Sequence, residues 1–145
     1  LTWIENALSV AFVAPDAKPL PVDALATVNW DSARLRMAPS LLRRSATTNA
    51  DSIWTALVEG EAVPEGDMLP EAGGLIVWRR GFTSYLQRVD AIEYEALLQV
   101  QQDGSFAALC DRLVARLGDA EGIDKAGALL AAWLNRELIA DVEDI

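Results

Sequence analysis

Residues 89–139 read VDAIEYEALLQVQQDGSFAALCDRLVARLGDAEGIDKAGALLAAWLNRELI, and this stretch decides the fold. Its apolar residues recur at helical spacing in three blocks. Asp90 stands at a helix N-cap position, and the first block runs to about Gln101. Asp103-Gly104-Ser105 forms a turn. Ser105 caps a second helix to about Leu117, with Phe106, Leu109, Cys110, Leu113, Val114 and Leu117 on one face. After a Gly- and Asp-rich turn, Asp124 caps a third helix whose apolar residues are Leu129, Leu130, Trp133, Leu134 and Leu138. Three short helices joined by tight turns outline a helix-turn-helix. From Asp90 onward, however, twelve Asp/Glu face four Lys/Arg, a net charge of −8. A phosphate backbone is repelled by such a surface. The layout is that of a recognition module, and the charge turns it away from nucleic acid.

Just before this stretch, Gly74–Trp78 (GLIVW) reads as a short buried strand, Arg79-Arg80-Gly81 as a turn, and Phe82–Val89 as an alternating strand. Together they make a β-hairpin. Further upstream, Glu61–Gly74 holds prolines, glycines and acids and reads as a loop, with Gly73-Gly74 as a turn. Asp51–Glu59 reads as a helix with Asp51 near its N-cap and Ile53, Trp54, Leu57 and Val58 apolar. Ser32–Ser45 alternates with Ala33, Leu35 and Met37 on one side and Arg34 and Arg36 on the other. Pro39 breaks this strand and Leu41–Ala46 resumes it. Val22–Val28 is compatible with a short helix, and Ala14–Pro21 is a proline-rich loop. At the start, Trp3, Ile4, Ala7, Leu8, Ala11 and Phe12 share one helical face, with Thr2 as N-cap and Pro15 as the stop. The fold class is α+β: a small antiparallel sheet with a winged-helix-like three-helix unit at the C-terminal end. Residues 1–72 form a helix-plus-strand lobe and residues 73–145 a hairpin and three-helix lobe, within one compact unit.

The chain has 145 residues, 52% of them apolar and 23% charged, the composition of a globular protein. No apolar run reaches the length of a membrane span, and no signal peptide opens the chain. There is one cysteine and no histidine. The natural home is the reducing cytoplasm, and the commonest general base and metal ligand is missing. The 22 acids form many chance pairs, and none sits in a buried apolar run that would make it a catalytic acid. Cys110 lies on an apolar helix face and reads as a buried structural thiol.

The net charge of −10 is unevenly spread. Ser32–Ala50 carries +4 and Leu75–Val89 carries +3, all from arginine, whereas Asp51–Gly74 carries −6. Arginine suits bidentate contact with carboxylates. The arginines of these two segments, Arg34, Arg36, Arg43, Arg44, Arg79, Arg80 and Arg88, with the nearby aromatics Trp78 and Tyr85, are the candidate surface for a peptide or protein partner. The bland alternative is that these arginines form only the solvated face of strands, and that the five tryptophans are core.

The segments LTWIENALSVAFVAPDAKPL (1–20), RLRMAPSLLRRSATTNADSIW (34–54), LIVWRRGFTSYLQRVDAIEYEALLQVQQDGSF (75–106) and ALLAAWLNRELI (128–139) resemble the C-terminal part of the HvfC/BufC family. The resemblance rests on a Pro-Ser strand, a Trp-bearing helix and an L-V-W-R strand, with no catalytic signature. It implies that the chain begins where the family's N-terminal helical domain ends. It also implies a role as partner protein of a multinuclear non-haem iron enzyme that modifies cysteines in ribosomally made peptides. Similar subunits in methanobactin and thiaglutamate biosynthesis help recruit the precursor's leader. The iron is then expected in the partner and no cofactor in this chain. The hairpin and three helices are similar to PqqD-like peptide-recognition elements, which take up a leader as an added strand. The candidate edges for this are Ser32–Ala46 and Gly74–Val89. The alternative reading is a DNA-binding regulator entering the groove with Asp124–Leu138, whose two cations are matched by two acids.

Overall fold

The structure, a computed structural model, describes residues 2–14 and 28–144. It is mixed α+β, and among the described residues it holds five helices and two small antiparallel sheets. In chain order these are α1 (Thr2–Phe12), β1 (Ala33–Met37), β2 (Leu42–Thr48), α2 (Ala50–Glu59), β3 (Met68–Arg80), β4 (Thr83–Val89), α3 (Ala91–Gln102), α4 (Phe106–Leu117), α5 (Asp119–Asn135) and β5 (Ile139–Asp144). The short helix expected over Val22–Val28, apart from Val28, which is not helical, and most of the loop before it lie outside the described residues. The chain divides into two compact units, Leu1–Asp16 with Ser40–Glu95, and Ala17–Pro39 with Ala96–Ile145. They interleave along the sequence, whereas the pattern alone had suggested a boundary after residue 72.

The first unit is built on the sheet β2-β3-β4. One face of it packs on α1. Ile4, Ala7 and Ala11 of that helix are buried with Ala46, Leu75 and Val77, and Trp3, Leu8, Leu42, Trp54 and Leu86 complete the layer. Burial of Ile4, Leu75 and Val77 contributes about 1.5–3 kcal/mol each, and the alanines less. Phe12, placed by its spacing on the apolar face of α1, is instead exposed at the helix end, and Thr2 lies inside the first turn rather than capping it. Gly60 ends α2 in the left-handed region at φ 71°, its N–H donating to the Ala56 carbonyl.

β3 is longer than its composition suggests. Met68–Gly74 is strand, not loop: Met68 stands opposite Thr48 and Gly73 opposite Ala46. Between those pairs Leu69–Ala72 bulge away from the single residue Thr47, which is where Pro70 is tolerated without breaking the ladder. Asn49 anchors the approach. Its amide donates to the Glu65 carbonyl at 2.8 Å, and its side-chain oxygen accepts from the Asp67 N–H at 2.8 Å. Gly73 and Gly74 do not turn the chain. A Cβ at Gly73 would run into the Val89 carbonyl oxygen, and one at Gly74 into the Tyr94 ring. At the other end Arg79 and Arg80 pair with Ser84 and Thr83, so the hairpin loop is the two residues Gly81-Phe82, with Gly81 at φ 62°.

The second unit joins the ribbon β1–β5 to the later helices. Ala33–Met37 pairs antiparallel with Ile139–Asp144, and Ala140 is the extra residue of a bulge. This last strand extends a region that helical periodicity had ended as helix. Asp90 caps α3, accepting the Glu93 N–H at 2.8 Å, and Ser105 caps α4, accepting the Ala108 N–H at 3.2 Å. α5 starts at Asp119, not at Asp124. Gly118 closes α4 with its N–H on the Val114 carbonyl and opens α5 with its carbonyl on the Gly122 N–H, both at 2.8 Å. The buried apolar residues of this unit include Leu35 of β1, Leu97 and Val100 of α3, and Leu109, Leu113, Ala126, Leu129, Trp133, Leu138 and Ile139 further along the chain.

Candidate functional site

The candidate arginines divide by what they touch. In the second unit, Arg34 and Arg36 lie on β1 opposite Glu143 and Asp141 of β5. A basic strand thus pairs in register with an acidic one, which is stabilising across an antiparallel ladder. Arg36 Nη2 lies 3.4 Å from Asp141 Oδ2. Arg34 Nη1 donates to the Asp103 carbonyl at 3.0 Å. The Leu35 N–H donates to the Gly104 carbonyl at 2.7 Å, so the α3–α4 turn is tied to β1. Trp30 meets Phe106 edge to face at 5.5 Å.

In the first unit Arg88 reaches from β4 to Asp51 in the first turn of α2. Its Nη2 lies 2.7 Å from Oδ1 and its Nε 3.1 Å from Oδ2, and Nη2 also donates to the Ser52 hydroxyl at 3.0 Å. This is a two-pronged guanidinium–carboxylate pair. Arg79 donates from Nη1 to the Phe12 carbonyl at 2.6 Å, a cation at the C-terminal end of α1 where the helix dipole favours it. Ser84 on the neighbouring strand donates to the Leu8 carbonyl at 3.2 Å. Trp78 is core, 4% exposed. Its ring stacks on Tyr85, the residue opposite it on β4, at 5.6 Å and 27°. Arg80 is exposed beside the hairpin loop and has interactions of its own.

Arg43 and Arg44 are different. They sit on β2, an edge of the three-stranded sheet, and with Ser45 they form three consecutive exposed residues. Successive strand side chains point to opposite faces. A run of this kind is therefore uncovered on both faces. Among the described residues neither arginine side chain has an ion pair or hydrogen bond. The structure therefore separates the nine candidates into five arginines engaged within the fold (Arg34, Arg36, Arg79, Arg80 and Arg88), a stacked pair of buried Trp78 and exposed Tyr85, and an open basic edge at Arg43 and Arg44.

Two features escaped the sequence reading. The bulge Leu69–Ala72, with Gly73, Val89 and Ala91, lines a cavity of about 420 Å³ beside the start of α3. Pro70 inside an acidic segment was the only sign of it. Glu93 is a buried acid, although its segment reads as an ordinary amphipathic helix. Cys110 is half-buried as a free thiol. Burial, then Asp111 and Asp31, push its pKa above the usual 9.0, so it is a sluggish nucleophile. No described group of three or more His, Cys, Asp or Glu side chains could hold a metal ion. No described helix is long and apolar enough to cross a membrane. In comparisons with known proteins the chain matches no family model, no curated protein and no solved structure.

Proposed function

We propose that this chain is a non-catalytic accessory subunit: it binds a multinuclear non-haem iron enzyme and presents to it the leader of a ribosomally made precursor peptide for cysteine modification, in the cytoplasm. The observation that carries this reading is the edge strand β2, uncovered on both faces at Arg43–Ser45. An extended leader laid along such an edge gains main-chain hydrogen bonds, and its side chains supply specificity. The antiparallel strands β2, β3 and β4, with α2 between the first two, are followed in sequence by α3, α4 and α5, which is in keeping with the similarity to PqqD-like elements. A chain without histidine, beside a partner that carries the iron, is a consistent division of labour. Co-expression with the iron enzyme, followed by size exclusion and metal analysis, tests it. The expected result is one stable complex with its iron in the partner. A folded chain that elutes alone refutes it.

A further inference from the structure

The geometry points to a ligand chemistry for the β2 edge: an extended peptide bearing two consecutive acidic residues, which Arg43 and Arg44 bind from opposite faces of the sheet. This rests on the reading above and specifies the ligand of the same site.

Arg43 stands opposite Ile76 and Arg44 opposite Leu75, so the two side chains leave on different faces. A strand added on the outer side of β2 sets one residue opposite Arg43 and its neighbour opposite Arg44, with Cβ atoms about 4.5–5.5 Å apart. Adjacent acids then meet one arginine each. Acids at alternate positions fall on a single face, where only one of them meets an arginine: beside Arg44 the second lies opposite half-buried Leu42 or buried Ala46, and beside Arg43 opposite buried Leu41 or the uncharged Ser45. The edge also has polarity. Glu65 and Asp67 are tied by Asn49 to the Thr48 end of β2, so the acid pair of the ligand belongs at the other end. A second copy of this chain is a poor occupant. Two β2 edges laid together would bring arginine against arginine, and like charges across a ladder are destabilising.

The test uses the full chain and fluorescence anisotropy at low salt. The probes are fluorescein-labelled ten-residue synthetic peptides of threonine, serine and valine with a central Glu-Glu, Gln-Gln, Glu-Thr-Glu or Lys-Lys. Glu-Glu is expected to bind about tenfold tighter than Gln-Gln, equivalent to about 1.4 kcal/mol over two cross-strand pairs. Glu-Thr-Glu is expected in between. Arg43→Glu with Arg44→Glu, folded by circular dichroism, should reverse the order and prefer Lys-Lys. Equal binding of Glu-Glu and Gln-Gln, or an unchanged preference in the double variant, overturns the inference. If a precursor leader binds the double variant at full strength, the edge assignment is wrong and the accessory-subunit reading survives. If the acid preference holds but no enzyme complex forms, the edge chemistry stands and the accessory-subunit reading falls.

Discussion

Gly122 offers a test in which two lines of reasoning give opposite signs. Glycine inside a helix costs about 1 kcal/mol relative to alanine, so helix propensity alone expects Gly122→Ala to stabilise. The structure expects the reverse. A Cβ at Gly122 would stand 2.5 Å from both the Cα and the N of Val114, and 2.7 Å from the carbonyl carbon of Leu113. These are backbone atoms of α4 and cannot swing aside. Ordinary contact begins at 3.4 Å, so the two helices must part by most of an ångström around Leu113 and Leu129. Forced overpacking costs about 1–3 kcal/mol. A backbone clash sits at the upper end, and after the propensity gain the net loss is about 2 kcal/mol. Gly127 is the control. It lies in the same helix, is exposed, and has nothing within 4 Å of its Cβ position. Gly127→Ala should therefore gain about 1 kcal/mol. Urea unfolding of both variants, compared at equal slope, should place them about 3 kcal/mol apart on opposite sides of the parent chain. If Gly122→Ala proves as stabilising as Gly127→Ala, the close α4–α5 approach is wrong.

Arg88→Met should lose about 1–2 kcal/mol, because the Asp51 carboxylate it leaves behind is only 15% exposed. Adding Asp51→Asn should recover part of that loss, and thermal melts with no loss in Arg88→Met would refute the pairing. Arg43→Glu with Arg44→Glu should leave the melting temperature within the equivalent of about 0.5 kcal/mol, since both side chains are exposed; a larger drop would give them a structural duty. The Cys110 thiol should stay protonated at pH 8, and its reaction with a disulfide reagent should still be accelerating past pH 9.0. Because the folded state holds this proton more tightly than the unfolded chain, the associated stability is present below pH 9.0 and disappears as pH rises through the folded-state value. A reaction rate that levels off below pH 9.0 would contradict the burial of the thiol.

The elements legible in the sequence are those whose evidence is local. The caps Asp90 and Ser105, the alternation of Ala33–Met37 and the apolar spacing of α4 each depend on residues within a turn or two. The failures share one cause. Gly73, Gly74 and Gly122 look like turn formers, because sequence shows that a side chain is absent but not what would collide with it. Pro70 argues against a strand until pairing with β2 opens a bulge around it. β5 carries a weak pattern of its own and is a strand through its antiparallel pairing with β1, about a hundred residues earlier in the chain, which the local sequence does not reveal.

The candidate site divides along the same line. The clustering of arginines in two acid-flanked segments is a property of the sequence, and so is the lack of histidine. Which arginines are occupied is not. Arg88 finds Asp51 across 37 residues and Arg79 finds the Phe12 carbonyl across 67, and only folding brings such groups together. By itself the sequence determined the class of structure and the chemistry available, because composition, periodicity and capping act over a few residues. The tertiary structure alone decided that β2 is an edge and that the Arg43 and Arg44 side chains stand exposed on it, because strand order and ion pairing depend on distance in space rather than along the chain.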